Sequence, residues 1–437
     1  MTWNDRQVSR GKTALALGTA ALAMAGLALA TPAAAEDTVK LGVVSFLTGA
    51  AAGPFGIPGK NAAELVIDAI NEGSLPAPYD SVGLAGMQIE PVYVDEAGGT
   101  TTQVTEMRNL VQRENVDAIV GYISSGSCLA VAPVAEELQV LTVFWVCGTP
   151  RIFEEAKYKY VFRTAPHATM DNVAAARYVL HKMDDLESYA GLNQNYAFGQ
   201  DSWRDFVLSM KALAPEAEIS GEYFPKIFAG EYGSEISALL VSGAQVLHSS
   251  FWGGDLESFL FQSIARGLPQ RMPFVLTSGE PLVGRIGDKI PDGTIIGARG
   301  EHADLAPESA LNTWLKENYE ARFDEAITYP AYHMTMAILG VKAAYDKAAA
   351  EQGGKPSEDQ VIAAFEYMEY DTPSGKISMS LGDGHQAVAG TAYATFSNKD
   401  GEAKLVDIVR YPAECVQPPA GVSSIEWLEQ GMPGAKC

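Results

Sequence analysis

Two short apolar runs, each ending in a polar turn, constrain this chain more than any other feature. Val116–Val120 is rich in β-formers and closes at Gly121, after which come Ser124, Ser125, Gly126 and Ser127. Leu129–Leu138 suits a helix, provided that the helix proper begins within a turn of Pro133. Val140–Val146 is the second run, nearly continuous in apolar residues, and it ends in Cys147, Gly148, Thr149 and Pro150. Such runs are what strands buried on both faces look like, and strand, helix, strand in succession implies parallel pairing. In open α/β sheets ligands bind outside the carboxyl ends of the strands. A helix N-terminus beside serine hydroxyls is a cradle for an anion such as a carboxylate. This stretch is therefore expected to supply half of a ligand site. Ser124, Ser125 and Thr149 are the candidates, and capping turns is the alternative use for such residues.

The rest of the chain repeats the rhythm. Val39–Leu47 reads as a strand, followed by a glycine-rich loop around Pro54, Phe55 and Gly56 and by a helix with apolar residues at 62, 65, 66, 69 and 70. The pair Gly59-Lys60 invites a phosphate-binding loop reading. It fails, because Pro54 stands where the motif needs glycine and Asn61 where it needs Ser or Thr. Gln88–Val94 is a strand marked by Pro91 as imperfect or near an edge. After Tyr160–Pro166, which reads as a crossover, strands recur near 188–192, 219–226, 244–251, 274–277 and 294–298. Tyr196, Trp252 and Glu280 each stand just beyond a strand of this second set. A helical block follows over about 311–368, then short strands at 376–380, 391–396 and 404–409.

A chain of 437 residues exceeds one compact core, and two lobes are expected. The net charge of −23 argues against nucleic acid or an anionic membrane as a partner. Arg6, Arg10 and Lys12 precede a small-residue apolar run, Ala14–Ala30, and Ala33-Ala34-Ala35 supplies a cleavage pattern. An exported, periplasmic protein cleaved after about Ala35 is expected. Export permits disulfides. Four cysteines allow three pairings. Cys415 and Cys437 share an irregular tail and are expected to pair. Cys128 and Cys147 flank the two strand ends described above and suit either a second bridge or two buried thiols.

No catalytic pattern emerges. Ser124–Ser127 does not fit a nucleophile elbow, and the six histidines are scattered without metal spacing. No enzyme activity, metal or cofactor is expected.

The ordered set of Val39–Asn71, Val116–Gly121 with its serines, Asn195–Gln200, Trp252–Asp255 and the Tyr329–Tyr345 helix resembles the branched-chain amino acid binding proteins of ABC transporters. The resemblance spans nearly all of the chain after the leader. It implies an α/β, type I periplasmic binding fold: two Rossmann-like lobes with central parallel sheets, joined by a three-crossover hinge. The expected division is 38–164 with 301–372 for lobe I, 165–300 with 373–412 for lobe II, and 413–437 as a disulfide-tied tail. Ser125 is similar to the hydroxyl that binds a ligand carboxylate, with Thr149 its partner. Tyr196 is similar to the tyrosine that closes from lobe II, Trp252 to a further aromatic, Phe55 to an aromatic of the first loop. Glu280 is similar to the acid that receives a ligand ammonium group. The implied function is a monomeric solute-binding protein of an ABC importer, handing an amino-acid-like carboxylate or amide to an inner-membrane permease. A ligand-sensing receptor on the same fold is the alternative. The aromatic positions suggest a branched, aromatic or otherwise bulky ligand.

Overall fold

The computed structural model describes residues 38–399 and 401–437, and the leader read above lies outside them. The described part forms one compact unit built on two sheets.

The first sheet begins with β1 (Thr38–Ser45), whose inner residues are nearly all buried. A π-helical turn, Ala52–Gly56, leads into α1 (Ile57–Glu72), which buries the stripe expected from its spacing. Gly73 ends that helix in the left-handed region. β2 (Gln88–Asp95) is an edge strand, which is why Pro91 costs it no central ladder bond. Next come α2 (Thr100–Gln112), β3 (Ala118–Gly121), α3 (Ser125–Leu138), β4 (Leu141–Phe144), α4 (Arg151–Glu154) and β5 (Val161–Arg163). α3 starts two turns before Pro133, earlier than the sequence suggested. Pro133 lies on its exposed side.

After β5 the chain crosses to the second sheet. There it forms α5 (Ala168–Lys182), β6 (Ser188–Leu192), α6 (Ala197–Leu213), β7 (Glu218–Tyr223), α7 (Gly233–Leu239), β8 (Val246–Ser249), α8 (Gly253–Ala265), β9 (Phe274–Leu276), α9 (Pro281–Ile286) and β10 (Ile295–Gly297). It then returns to the first lobe with α10 (Ala310–Phe323), α11 (Tyr329–Gln352), α12 (Glu358–Phe365) and the strands β11 (Glu369–Thr372), β12 (Gly375–Leu381) and β13 (Gln386–Val388). β14 (Thr391–Ser397) and β15 (Lys404–Tyr411) complete the second sheet, and α13 (Ala413–Val416) and α14 (Ser424–Glu429) lie in the tail.

The sheet orders are β11-β12-β13-β5-β4-β3-β1-β2 and β15-β14-β10-β9-β8-β6-β7. Each is parallel through its centre and gains antiparallel strands on one side. Three segments cross between sheets: after β5, after β10, and between β13 and β14. This corrects the expected boundary at 373. β12 and β13 pair within the first sheet, and Gln386 sits in register with Arg163. Sequence pattern could not separate a short strand of one lobe from a short strand of the other.

Both pairs of cysteines are bonded, Cys128 to Cys147 and Cys415 to Cys437. The first bridge ties the first turn of α3 to the end of β4. No described helix is long and apolar enough to cross a membrane.

Candidate functional site between the lobes

At the carboxyl ends of both sheets the lobes face one another, and ten residues surround a small void there. Phe55, Ile123, Val146 and Gly148 come from the first lobe. Tyr196, Phe198, Trp252 and Ser278 come from the second. Arg299 lies on the second crossover, and Tyr329 opens α11. Every one stands just beyond a strand or at the start of the following helix. The parallel topology thus assembles the site, as the opening argument expected of such an edge.

The lining is aromatic. Phe55 meets Trp252 and Tyr329 edge to face, each at 5.2 Å between ring centres. The Trp252 indole N–H donates to the Tyr196 hydroxyl at 2.7 Å. Phe228, from the loop after β7, lies against both Trp252 and Phe46 over the mouth. The lobes are drawn together. The Gly254 N–H donates to Ala50 O at 2.9 Å, and the Thr149 hydroxyl donates to Asp201 at 2.6 Å. The void left is about 10 Å³, room for about one water. Gly148 is needed for this approach. A Cβ there would come within 2.4 Å of the Phe198 ring and 2.9 Å of the Arg299 guanidinium.

Arg299 is the one charged side chain in the lining. Its Nε donates to Asp171 at 3.0 Å and one terminal nitrogen to Pro166 O at 2.9 Å, while its plane lies 4.9 Å from the Phe198 ring centre. The other terminal nitrogen has no protein acceptor among the described residues. Burial raises the Asp171 carboxyl to about 6 despite the neighbouring guanidinium. The hydroxyls of Ser278 and Tyr329 also reach the lining. They lie near enough for Ser278 to oppose the burial that raises the Tyr329 pKa, yet neither makes a hydrogen bond of proper geometry. The site therefore offers a cation, two uncommitted hydroxyls and an aromatic cage.

The structure brings Phe55, Tyr196 and Trp252 of the expected residues into this lining. It does not bring Ser124, Ser125, Thr149 or Glu280 there. The Ser125 hydroxyl accepts the Thr149 N–H at 3.1 Å, and Thr149 turns its own hydroxyl to Asp201. An acid of the protein already stands at the approach to α3. Glu96, itself buried, accepts the N–H groups of Ile123 at 2.6 Å and Ser124 at 2.8 Å. Glu280 plays the matching part at α11, accepting the Tyr329 N–H at 2.8 Å. It lies behind the aromatic wall and does not line the void. Burial pushes both acids up to about 8. Sequence reasoning missed Glu96, Phe198, Ser278 and Arg299. The signal for Arg299 was a lone cation between Ala298 and Gly300, directly after a short strand.

A model of the periplasmic binding protein family matches residues 38–402. The chain belongs to this family. Binding proteins of this kind take up a small solute between two lobes and serve an ABC importer. No curated protein matches the chain. Among solved structures, it is similar to a solute-binding protein of an ABC transporter from Rhodopseudomonas palustris BisB5 in complex with 3,4-dihydroxybenzoic acid. Identity is 22%, the TM-score 0.74, and the match covers 88% of this chain and 99% of that one. A second Rhodopseudomonas palustris solute-binding protein, in complex with benzoate, is 19% identical with a TM-score of 0.72, covering 85% and 96%. A leucine-binding protein from Thermotoga maritima is 16% identical with a TM-score of 0.70, covering 85% and 99%. At these identities the likeness is one of fold. The periplasmic binding family accounts for the two sheets, the three crossings and the position of the void.

Proposed function

We propose that this binding protein captures a small aromatic carboxylate, with Arg299 as its counter-charge and Phe55, Tyr196, Phe198, Trp252 and Tyr329 as its walls. The observation that carries the reading is the buried guanidinium of Arg299, lining an otherwise aromatic cleft with one nitrogen uncommitted. A carboxylate drawn from water needs charged or N–H partners, and a guanidinium supplies them at fixed geometry. Ser278 and Tyr329 would receive a ring substituent such as a hydroxyl. The benzoate and dihydroxybenzoate complexes of the two Rhodopseudomonas proteins lend support. Entry of a ring requires the walls to part by about 3.5 Å, the contact distance of stacked carbon atoms. Lobe opening and closure about the crossovers supplies that movement.

An amino acid is the second reading, favoured by the fold likeness to the leucine-binding protein. It lacks a carboxylate for the ammonium group, since Glu280 and Glu96 are both turned to backbone N–H groups. In either case binding is the whole of the work, with no chemical step. Export after cleavage near Ala35, a monomeric state and delivery to an inner-membrane permease complete the proposal.

The deciding experiment is a melting screen with benzoate, hydroxybenzoates, leucine and phenylalanine. A ligand at a hundred times its Kd adds about 2.7 kcal/mol of stability. A shift with the benzoates and none with the amino acids is expected. A shift with leucine alone would overturn the proposal.

A further inference from the structure

A second cavity lies behind the hinge, away from the cleft. Its volume is about 380 Å³, and its walls come from four places, one of them residues 381–383 with Gln386. Phe153 and Glu154 of α4 form another. Arg163 and His167, on either side of the first crossover, form a third. The tail supplies the fourth through Pro418 and Val422. The family match ends at residue 402, before this wall. The tail is held in place by the Cys415–Cys437 bridge and by Ser424, whose N–H and hydroxyl both donate to Glu154.

Arg163 is 1% exposed and has no carboxylate partner. Its Nε donates to Gln386 at 2.5 Å, and one terminal nitrogen donates to Cys147 O and Thr149 O at 2.6 and 2.5 Å. All three acceptors are neutral, and the remaining terminal nitrogen has no acceptor among the described residues. Burial and the nearby Arg299 lower its pKa to about 9 against the opposing pull of Glu154, Asp171 and Asp201, none of which it pairs with directly. His167 is buried and neutral, its pKa held well down by burial and by both arginines. The acids at the cavity have other business. Glu154 is taken by Ser424, Asp383 pairs with Lys157 at 2.6 Å on the rim, and Glu426 is exposed at the mouth. Buried charge is ordinarily paired.

We propose that this cavity is a second ligand site, taking a small monocarboxylate whose oxygen seats on the free nitrogen of Arg163. A dianion is disfavoured there, because Glu154 and Glu426 stand nearby. Arg163 also holds the carbonyls on either side of Gly148, a residue of the cleft lining, and cross-links β5 to β13 at two of the three crossings. A carboxylate on Arg163 therefore bears on the hinge directly. This site does not depend on which solute the cleft takes.

The test is calorimetric titration of the full chain with acetate, propionate and inorganic phosphate. Val422→Trp fills the cavity from the tail side and touches no cleft residue. Arg163→Met removes the cation. One equivalent of monocarboxylate is expected to bind at millimolar concentration, and either variant should weaken it at least about tenfold, the scale of a lost charge-assisted hydrogen bond. Affinity for the cleft ligand should be unchanged in Val422→Trp. Absence of carboxylate binding would overturn the proposal. So would binding that survives Val422→Trp, or phosphate binding as tightly as acetate. Should Arg163→Met fail to fold, Val422→Trp alone decides.

Discussion

The carboxylate of Glu96 accepts the N–H of Ser124 at 2.8 Å and that of Ile123 at 2.6 Å, so the amides just before α3 are bound to the protein's own acid. An amide cluster at a helix start attracts negative charge from whatever source lies nearest. Here the source is the residue just after β2, two strands over from β3. The same logic repeats at α11 with Glu280 and Tyr329. Two acids thus hold amides at helix starts beside the cleft, and Arg299 is the charged side chain left in the lining.

The acids themselves make a measurable prediction. Burial raises Glu96 to about 8 from the usual 4.5. Folding therefore favours the protonated acid. Its stabilising contribution is complete below the unfolded pKa and is lost as pH rises through the folded one. Replacing Glu96 by Gln should flatten the fall in unfolding free energy between about pH 5 and about pH 8.5 by on the order of 4 kcal/mol. Denaturant melts at the two pH values measure this. Equal slopes in the parent and the variant would show that Glu96 ionises freely in the fold.

Gly148 predicts a defect in closure. Its added Cβ would strike the Phe198 ring and the Arg299 guanidinium, groups that reach it only when the lobes meet. Gly148→Ala should leave the ligand-free melting temperature nearly unchanged, because the lobes can stand apart. Affinity should fall by about tenfold or more, as expected when a contact of that kind costs 1–3 kcal/mol. X-ray scattering with saturating ligand would check it. A variant that contracts on ligand addition as the parent does would contradict the role given to this glycine.

How much of this was legible beforehand depended on the range of the interaction. The strands β1, β3 and β4 announced themselves through local apolar runs, and parallel pairing followed from their spacing. The aromatic residues Phe55, Tyr196 and Trp252 stand directly beyond strands, where period and turn residues point. Glu96 and Ser124 are far apart in sequence, so nothing local marked the acid as the partner of that turn. The partners of Ser125 and Thr149 were hidden for the same reason, since Asp201 reaches Thr149 from the other lobe. β12 and β13 are short and alternate weakly. Only the register of Gln386 with Arg163 assigns them to the first sheet.

Arg299 should be indispensable to binding. It is buried with Asp171, so removing it strands an acid as well as the ligand's charge. Arg299→Met should cost about 3–5 kcal/mol of stability and abolish measurable aromatic-acid binding. The double variant with Asp171→Asn should recover much of the stability and none of the binding. Chemical denaturation and calorimetry together test this. Restored binding in the double variant would mean that the carboxylate is held elsewhere in the cleft.

Glu280→Gln separates the two ligand classes. Glu280 accepts the Tyr329 N–H and lies behind the aromatic wall, at 5% exposure. The amide oxygen of Gln can accept that same N–H, so α11 keeps its cap. An aromatic carboxylate held by Arg299 never meets residue 280, and its Kd should change by less than about threefold, within the scatter of distant, independent substitutions. An amino acid that used Glu280 as its counter-charge would instead lose a buried ion pair, a change of 2–5 kcal/mol or more than about thirtyfold in Kd. Calorimetry on the parent and the variant with the tightest ligand from the melting screen distinguishes the two. A loss of that size would return Glu280 to the cleft and give the ligand an amine.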